Sequence, residues 1–187
     1  MENVSKKNGT DFASHDSAHG LRDLFEVGLK DIYHAEKALS KTLTMMMKNA
    51  THPQLIEALK NHIADNKKHL IRLEEIFKST GIRPSTKKCD AMKGILKETN
   101  ELIKTTDIGT VRDAGIISSE QKMKHYEIAT YGTLCAFANT LGEKNAAGLL
   151  KKTLTEDKKA DKTLSRIAMS SINRNAYYAD AITTAFM

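Results

Sequence analysis

Apolar residues recur every three or four positions along most of this chain, which is the spacing of helices that bury one face. Polar breaks at His52-Pro53, at Gly81 with Pro84, and at Gly142 divide the pattern. They predict four long helices at about residues 20–49, 53–79, 111–141 and 145–170. A shorter amphipathic helix at about residues 90–104 and a polar turn at 105–110 lie between the second and third long helices.

Two long helices, a crossing segment and two more long helices predict an all-α fold. The expected arrangement is a ferritin-like, up-down-down-up four-helix bundle with a short crossing helix between helices 2 and 3. We expect the bundle to occupy residues 19–172, after a polar tail at 1–18 that is expected to be disordered. A C-terminal extension at 173–187 is expected to form a last short helix or to dock on a partner subunit.

The two halves of the chain carry a similar pattern of polar residues within the predicted helices. Each half has a carboxylate on one helix and, 29 or 30 residues later, a carboxylate and a second ligand one turn apart on the next helix. The residues are Glu36, Asp65 and His69 in the first half (65 − 36 = 29) and Glu127, Asp157 and Asp161 in the second (157 − 127 = 30). Repeated in this way, the pattern is typical of a dinuclear metal site inside a four-helix bundle.

Inward-facing acids restrict the chemistry of such a core. A buried carboxylate is costly unless it is paired, protonated or bound to metal. Carboxylates clustered with a histidine suit iron or manganese, here with two ions per chain. A buried ion pair is the alternative for Glu36, and a purely structural core role is the alternative for His69.

The ligand on the third long helix is left open by the pattern. Its apolar stripe is centred near Gln121, His125 and Ile128, and Glu127 lies about 100° from that centre. Either Gln121 or His125 supplies the ligand, or Glu127 reaches in from the edge.

Composition narrows the classes of function. No apolar run is long enough to span a bilayer, and residues 1–20 lack an apolar signal core, so we expect a cytoplasmic protein. Cys89 and Cys135 are far apart and are expected to stay reduced. The net charge of +6 permits a nucleic-acid partner, but no nucleic-acid-binding motif supports one.

Several segments resemble the bacterial YciE/YciF stress-response family, a ferritin-like group. They include LFEVGLKDIYHAEKAL in the first long helix and QKMKHYEIATYGTL in the third, within a likeness that covers about residues 21–175. The resemblance implies a four-helix bundle with an extra short helix, often dimeric, and a dinuclear metal centre. Glu36, Gln121, His125, Glu127 and Asp161 match family positions, Asp65 and Asp157 stand where glutamate is usual, and His69 stands at a His or Gln position.

Two departures from the family bear on metal binding. Each Asp in place of Glu shortens the reach of a ligand by one methylene, about 1.5 Å. Lys124 replaces what is commonly an acid, and a cation there opposes a metal if it points inward.

Three functions follow as hypotheses. The first is a homodimeric stress protein whose two iron ions, or manganese ions, react with O2 or peroxide. The second is a non-enzymatic dimeric bundle that has lost its metal site, which Lys124 and the two aspartates motivate. The third is DNA association through surface and tail lysines, with steep salt dependence.

Overall fold

The computed structural model describes the backbone of residues 19–185 and the side chains of residues 19–179. This part of the chain is helical, without strands, so the predicted all-α class is confirmed. Its elements are α1 (Leu21–Asn49), α2 (Pro53–Thr80), α3 (Asp90–Thr105), α4 (Thr110–Thr140), α5 (Lys144–Ile167), a π-helical turn (Ala168–Ile172) and α6 (Asn173–Ala185). The predicted polar tail at 1–18 lies outside the described residues.

The four long helices form a closed ring around one core. α1 contacts α2 and α4, and α5 contacts the same two helices from the opposite side. α3 lies across α1 and α4, while α6 returns along α4. All four long helices contribute apolar core residues, and those of α1 include Phe25, Leu29, Ile32, Leu39 and Leu43, none of which is exposed.

Local sequence explains where the long helices begin and end. Pro53 lies in the first turn of α2, where its missing N–H is not needed and its fixed φ suits the helix. Gly81 ends α2 with φ 70°, in the left-handed region where a side chain would be strained. Within the described residues no helix is both long and apolar enough to cross a bilayer.

Asp113, in the first turn of α4, accepts hydrogen bonds from the turn between α1 and α2. Its Oδ1 accepts from the Thr51 backbone N–H at 2.8 Å, and its Oδ2 accepts from the Thr51 hydroxyl at 2.6 Å and the His52 N–H at 2.9 Å. Asp113 is buried, so its removal leaves three donors without their carboxylate.

Asp113→Ala is therefore expected to lower the free energy of unfolding by about 2 kcal/mol. Urea denaturation followed by circular dichroism measures this change. Asp107→Ala, an exposed acid that precedes α4, is the matched control and should change stability by less than about 0.5 kcal/mol. Equal effects of the two variants would contradict this role of Asp113.

Candidate metal centre

The middle of the bundle is filled by polar side chains. All four long helices contribute, and every member of the group is buried. The members are Glu36 from α1, His62, Asn66, His69 and Arg72 from α2, Glu120, Lys124 and Glu127 from α4, and Asp157 from α5. Such a group is stable only if its charges are paired and its hydrogen-bonding capacity is used.

Glu36 is held by three side chains from two other helices. The Tyr131 hydroxyl donates to Oε1 at 2.6 Å, and the Asn66 amide donates to Oε2 at 2.6 Å. His69 Nδ1 lies 3.2 Å from Oε1. The Asn66 amide also donates to the Glu36 backbone carbonyl at 2.8 Å, which fixes α2 against α1 at this level.

His69 stands between an inner and an outer carboxylate. Its Nδ1 faces Glu36, while its Nε2 lies 3.2 Å from Glu156 Oε2. Arg72 positions Glu156, since its Nη2 donates to Glu156 Oε1 at 2.8 Å. Burial lowers the pKa of His69, but its bond to Glu36 and the surrounding carboxylates outweigh burial and raise it. When the Nδ1 proton is displaced, an outer carboxylate that accepts from Nε2–H orients the neutral ring with its Nδ1 lone pair toward the core, where it could bind a metal ion.

Lys124 points into the core and is only 1% exposed. Its Nζ lies 2.8 Å from Asp157 Oδ1 and 3.0 Å from Glu127 Oε2. Burial opposes the charge of Glu127, yet Lys124 and His62 together hold the pKa of Glu127 below its usual value. The pKa of Asp157 is raised, because burial and the negative charge of Glu127 act in the same direction.

His62 and Glu120 form a second buried pair, through His62 Nδ1 and Glu120 Oε1. Burial lowers the pKa of His62, but Glu120 and Glu127 more than compensate and raise it to about 10. The imidazole is therefore a cation at neutral pH. With Lys124, it offsets part of the negative charge that the buried acids bring to the core.

The charge of His62 predicts a pH-dependent contribution to stability. Its folded-state pKa is above the ordinary value, so this stabilisation is complete below pH 6.5 and lost as the pH rises through about 10. The stability difference between wild type and His62→Gln should shrink by about 1 kcal/mol per pH unit between pH 7 and 10. Urea denaturation across this range measures the difference. A difference independent of pH would contradict a protonated His62.

Three of the buried groups can reach one metal ion. Glu36, His69 and Glu127 each offer one ligand atom, and these atoms lie within 4.8 Å of one another. Metal bonds to carboxylate and imidazole are about 2.0–2.2 Å long, so small side-chain shifts bring all three into one coordination sphere. The group mixes two carboxylates with one imidazole, a donor set that suits Fe(II) or Mn(II).

Four of the eight ligands predicted from sequence lie in the buried group: Glu36, His69, Glu127 and Asp157. The other four do not join it. Asp65 pairs with Lys68 near the surface, and Gln121 donates to Ser165. His125, with a side chain 68% exposed, bonds Asp161 on the outside of the α4–α5 pair.

The predicted inner stripe of the third long helix was wrong. α4 is rotated so that Glu120, Lys124, Glu127 and Tyr131 face the core. These positions follow one another at intervals of three or four, which is a helical stripe, but three of the four are charged. A helical pattern that admits only apolar residues to the core therefore misses these positions. A pattern that also admits charged residues finds them.

Asn66, next to the predicted ligand Asp65, faces Glu36 from α2. The interval from Glu36 to Asn66 is 30 residues (66 − 36), equal to that from Glu127 to Asp157 (157 − 127). The equal interval was the signal that Asn66, rather than Asp65, is the counterpart of Asp157. Among the tyrosines of α1 and α4, Tyr131 donates to Glu36 in the buried group, whereas Tyr33 donates to Glu74 and Tyr126 to Asp31.

An open pocket of about 430 Å³ leads from the surface to this group between α2 and α5. The buried His62 and Glu120 line its inner part, and the exposed Lys68 and Lys159 line its rim. The pocket gives small solutes a route to the edge of the buried group.

Comparison with known proteins identifies the family. Residues 20–177 match the family described as a domain of unknown function, DUF892. The chain belongs to this family. This DUF892 member is 37% identical to Protein YciF of Escherichia coli K12 over 157 residues, which cover 83% of this chain and 95% of that protein. The resemblance seen in the sequence is thereby confirmed.

Solved structures agree with the helical bundle. The crystal structure of the E. coli stress protein YciF superposes with a TM-score of 0.80 at 36% identity and covers 83% of this chain and 99% of that one. YcfI from Rhodopseudomonas palustris gives a TM-score of 0.77 at 39% identity, over 82% of this chain and 98% of that one. A Xanthomonas campestris protein at 19% identity (TM-score 0.70), which covers 87% of this chain and 99% of that one, shares the fold.

Proposed function

We propose that this DUF892 member is a ferritin-like stress-response protein that binds one transition-metal ion, Fe(II) or Mn(II), in the core of its bundle. The observation that carries the proposal is the convergence of Glu36, His69 and Glu127, all buried, with ligand atoms within 4.8 Å of one another. The stress role comes from the likeness to YciF, which is described as a stress protein. The closed ring of four long helices with a crossing helix supports the ferritin-like, up-down-down-up arrangement.

The donor set supports one ion rather than the two expected from the sequence. A dinuclear site of this class uses a Glu from each of two helices and a Glu-x-x-His pair from each of the other two. This chain has Glu36 and Glu127 at the single positions, but Asn66-x-x-His69 and Asp157-x-x-Ala160 at the paired ones. One histidine is missing, and an amide replaces one carboxylate. The residues that remain fit the first ion and not a second.

The chain's own groups prepare the single site. Tyr131 and Asn66 hold both oxygens of Glu36 in place, and Glu156 holds the His69 ring through Nε2. Glu156 is partly exposed and lines the pocket, so the carboxylate that orients the His69 ring is itself in contact with solvent. When bound, Fe(II) or Mn(II) supplies one-electron chemistry toward a small oxidant such as O2 or peroxide.

Metal titration tests the proposal. Anaerobically purified protein is titrated with Fe(II) and with Mn(II), and bound metal is counted after desalting. We expect about one ion per chain and a rise in melting temperature, because a ligand that binds only the native state stabilises it. Glu36→Gln should abolish both effects. Asp65→Asn, which changes an acid outside the buried group, should leave both unchanged. A metal-free wild type, or equal binding by Glu36→Gln, would overturn the proposal.

The second candidate is a metal-free, dimeric interaction protein with a degenerate site. Lys124 favours it, since its ammonium already pairs with two of the buried acids. In that case added metal leaves the melting temperature of the wild type unchanged, and the oligomeric state and protein partners become the next measurements.

A further inference from the structure

Lys124 lies where two helices each present a carboxylate to the core. Its Nζ is 2.8 Å from Asp157 Oδ1 on α5 and 3.0 Å from Glu127 Oε2 on its own helix. Neither acid is more than 1% exposed, so water does not screen their charges. The ammonium is therefore the cation that contacts both acids and offsets their charges in the core.

More buried polar atoms surround Lys124 than its ammonium group contacts. Five of the six buried side-chain atoms that lack a hydrogen-bond partner among the described residues belong to this cluster. They are His62 Nε2, Glu120 Oε2, Glu127 Oε1 and Oε2, and Asp157 Oδ2. The Lys124 contact with Glu127 Oε2 has ion-pair distance without hydrogen-bond direction. Four unpartnered carboxylate oxygens, beside an imidazole that can ligate once a metal ion displaces its proton, indicate a site suited to a cation with more ligands than an ammonium has.

We propose that Lys124 takes the place of a second metal ion, and that its removal opens a divalent-cation site formed by Glu127, Asp157 and His62. His62 Nε2 lies 3.5 Å from Glu127 Oε1 and supplies the imidazole that Ala160 cannot. The inference rests on the proposed function in treating Glu127 as a metal ligand. Lys124 thus sets the number of ions at one and keeps the natural centre from acting as a metal pair.

The experiment compares Lys124→Met and Lys124→Gln with wild type by Co(II) and Mn(II) titration at pH 8, where a ligating imidazole loses its proton more readily. Bound ions are counted after desalting, and folding is checked by circular dichroism. Lys124→Gln retains a hydrogen-bond donor and covers the case in which Lys124→Met does not fold. Lys122→Met, on the exposed face of the same helix, is the matched control. Lys124→Met/Asp157→Asn removes one ligand of the proposed site.

We expect one more ion per chain in Lys124→Met or Lys124→Gln than in wild type, and no gain in Lys122→Met or in the double variant. A folded Lys124 variant that binds no more metal than wild type overturns the inference. If the folded Lys124 variant and the wild type each bind one ion, the proposed function still stands. Conversely, a metal-free wild type with one ion in Lys124→Met that is lost in the double variant supports the inference and overturns the proposed function.

Discussion

Lys124→Met is expected to lower the free energy of unfolding by about 3–5 kcal/mol when no metal is added. Methionine fills a similar volume but removes the ammonium that pairs with Glu127 and Asp157. Both acids then remain in a buried site with one cation fewer, and breaking a buried pair from one side leaves an uncompensated charge. Urea denaturation at pH 7 in the presence of a chelator measures the change.

A second substitution separates loss of charge pairing from loss of packing. In the Lys124→Met background, Asp157→Asn removes one of the two buried acids that have lost their cation, and it should restore part of the lost free energy of unfolding. The double-mutant cycle should therefore give a coupling of at least about 1 kcal/mol between positions 124 and 157. Lys122→Met, which breaks only an exposed pair with Glu98, should cost less than about 0.5 kcal/mol. Additive effects at 124 and 157 would show that Lys124 contributes through packing alone.

The course of the helices could be predicted from sequence because apolar spacing and helix breakers act locally. Pro53, Gly81 and Gly142 each lie within a residue or two of a helix end in the structure. The rotation of α4 could not be predicted in the same way. The middle of its core face carries Glu120, Lys124 and Glu127, which interrupt the apolar residues of that face, so no continuous apolar stripe marks the buried side. These charges are buried because partners on α2 and α5 pair with them, and those tertiary contacts are not visible in a single helix.

The residues of the candidate site were likewise predictable from the sequence only in part. Glu36 is predictable from the sequence because it interrupts an otherwise apolar stripe, with Ile32 and Leu39 on either side. Asp65 is the acid that the metal-site pattern predicts on α2, but the neighbouring Asn66 faces the core and Asp65 does not. Residue type alone therefore indicated the wrong position on α2. The interval of 30 residues that both halves share (66 − 36 and 157 − 127) indicates the correct one, Asn66.

Loss of His69 is expected to have the largest effect on metal binding. His69→Ala removes the only imidazole of the Glu36–His69–Glu127 group, and we expect Mn(II) affinity to fall by more than about 100-fold. Glu156→Gln keeps that ligand but weakens the contact that orients it, so a fall of about 10- to 100-fold is expected. Isothermal titration calorimetry of both variants at one pH gives the two ratios.

The order of these two effects tests the arrangement of the site and not only its existence. A carboxylate that orients a ligating histidine contributes less than the ligand itself, so Glu156→Gln must lie between wild type and His69→Ala. Asp161→Asn changes an acid that bonds the exposed His125 and should bind Mn(II) as wild type does. If Asp161→Asn weakens binding as much as His69→Ala, the ion is bound on the outer face of α4 and α5. Unchanged affinity in Asp161→Asn with graded loss in the other two variants places the ion at the buried group, with Glu156 as the carboxylate that orients its histidine.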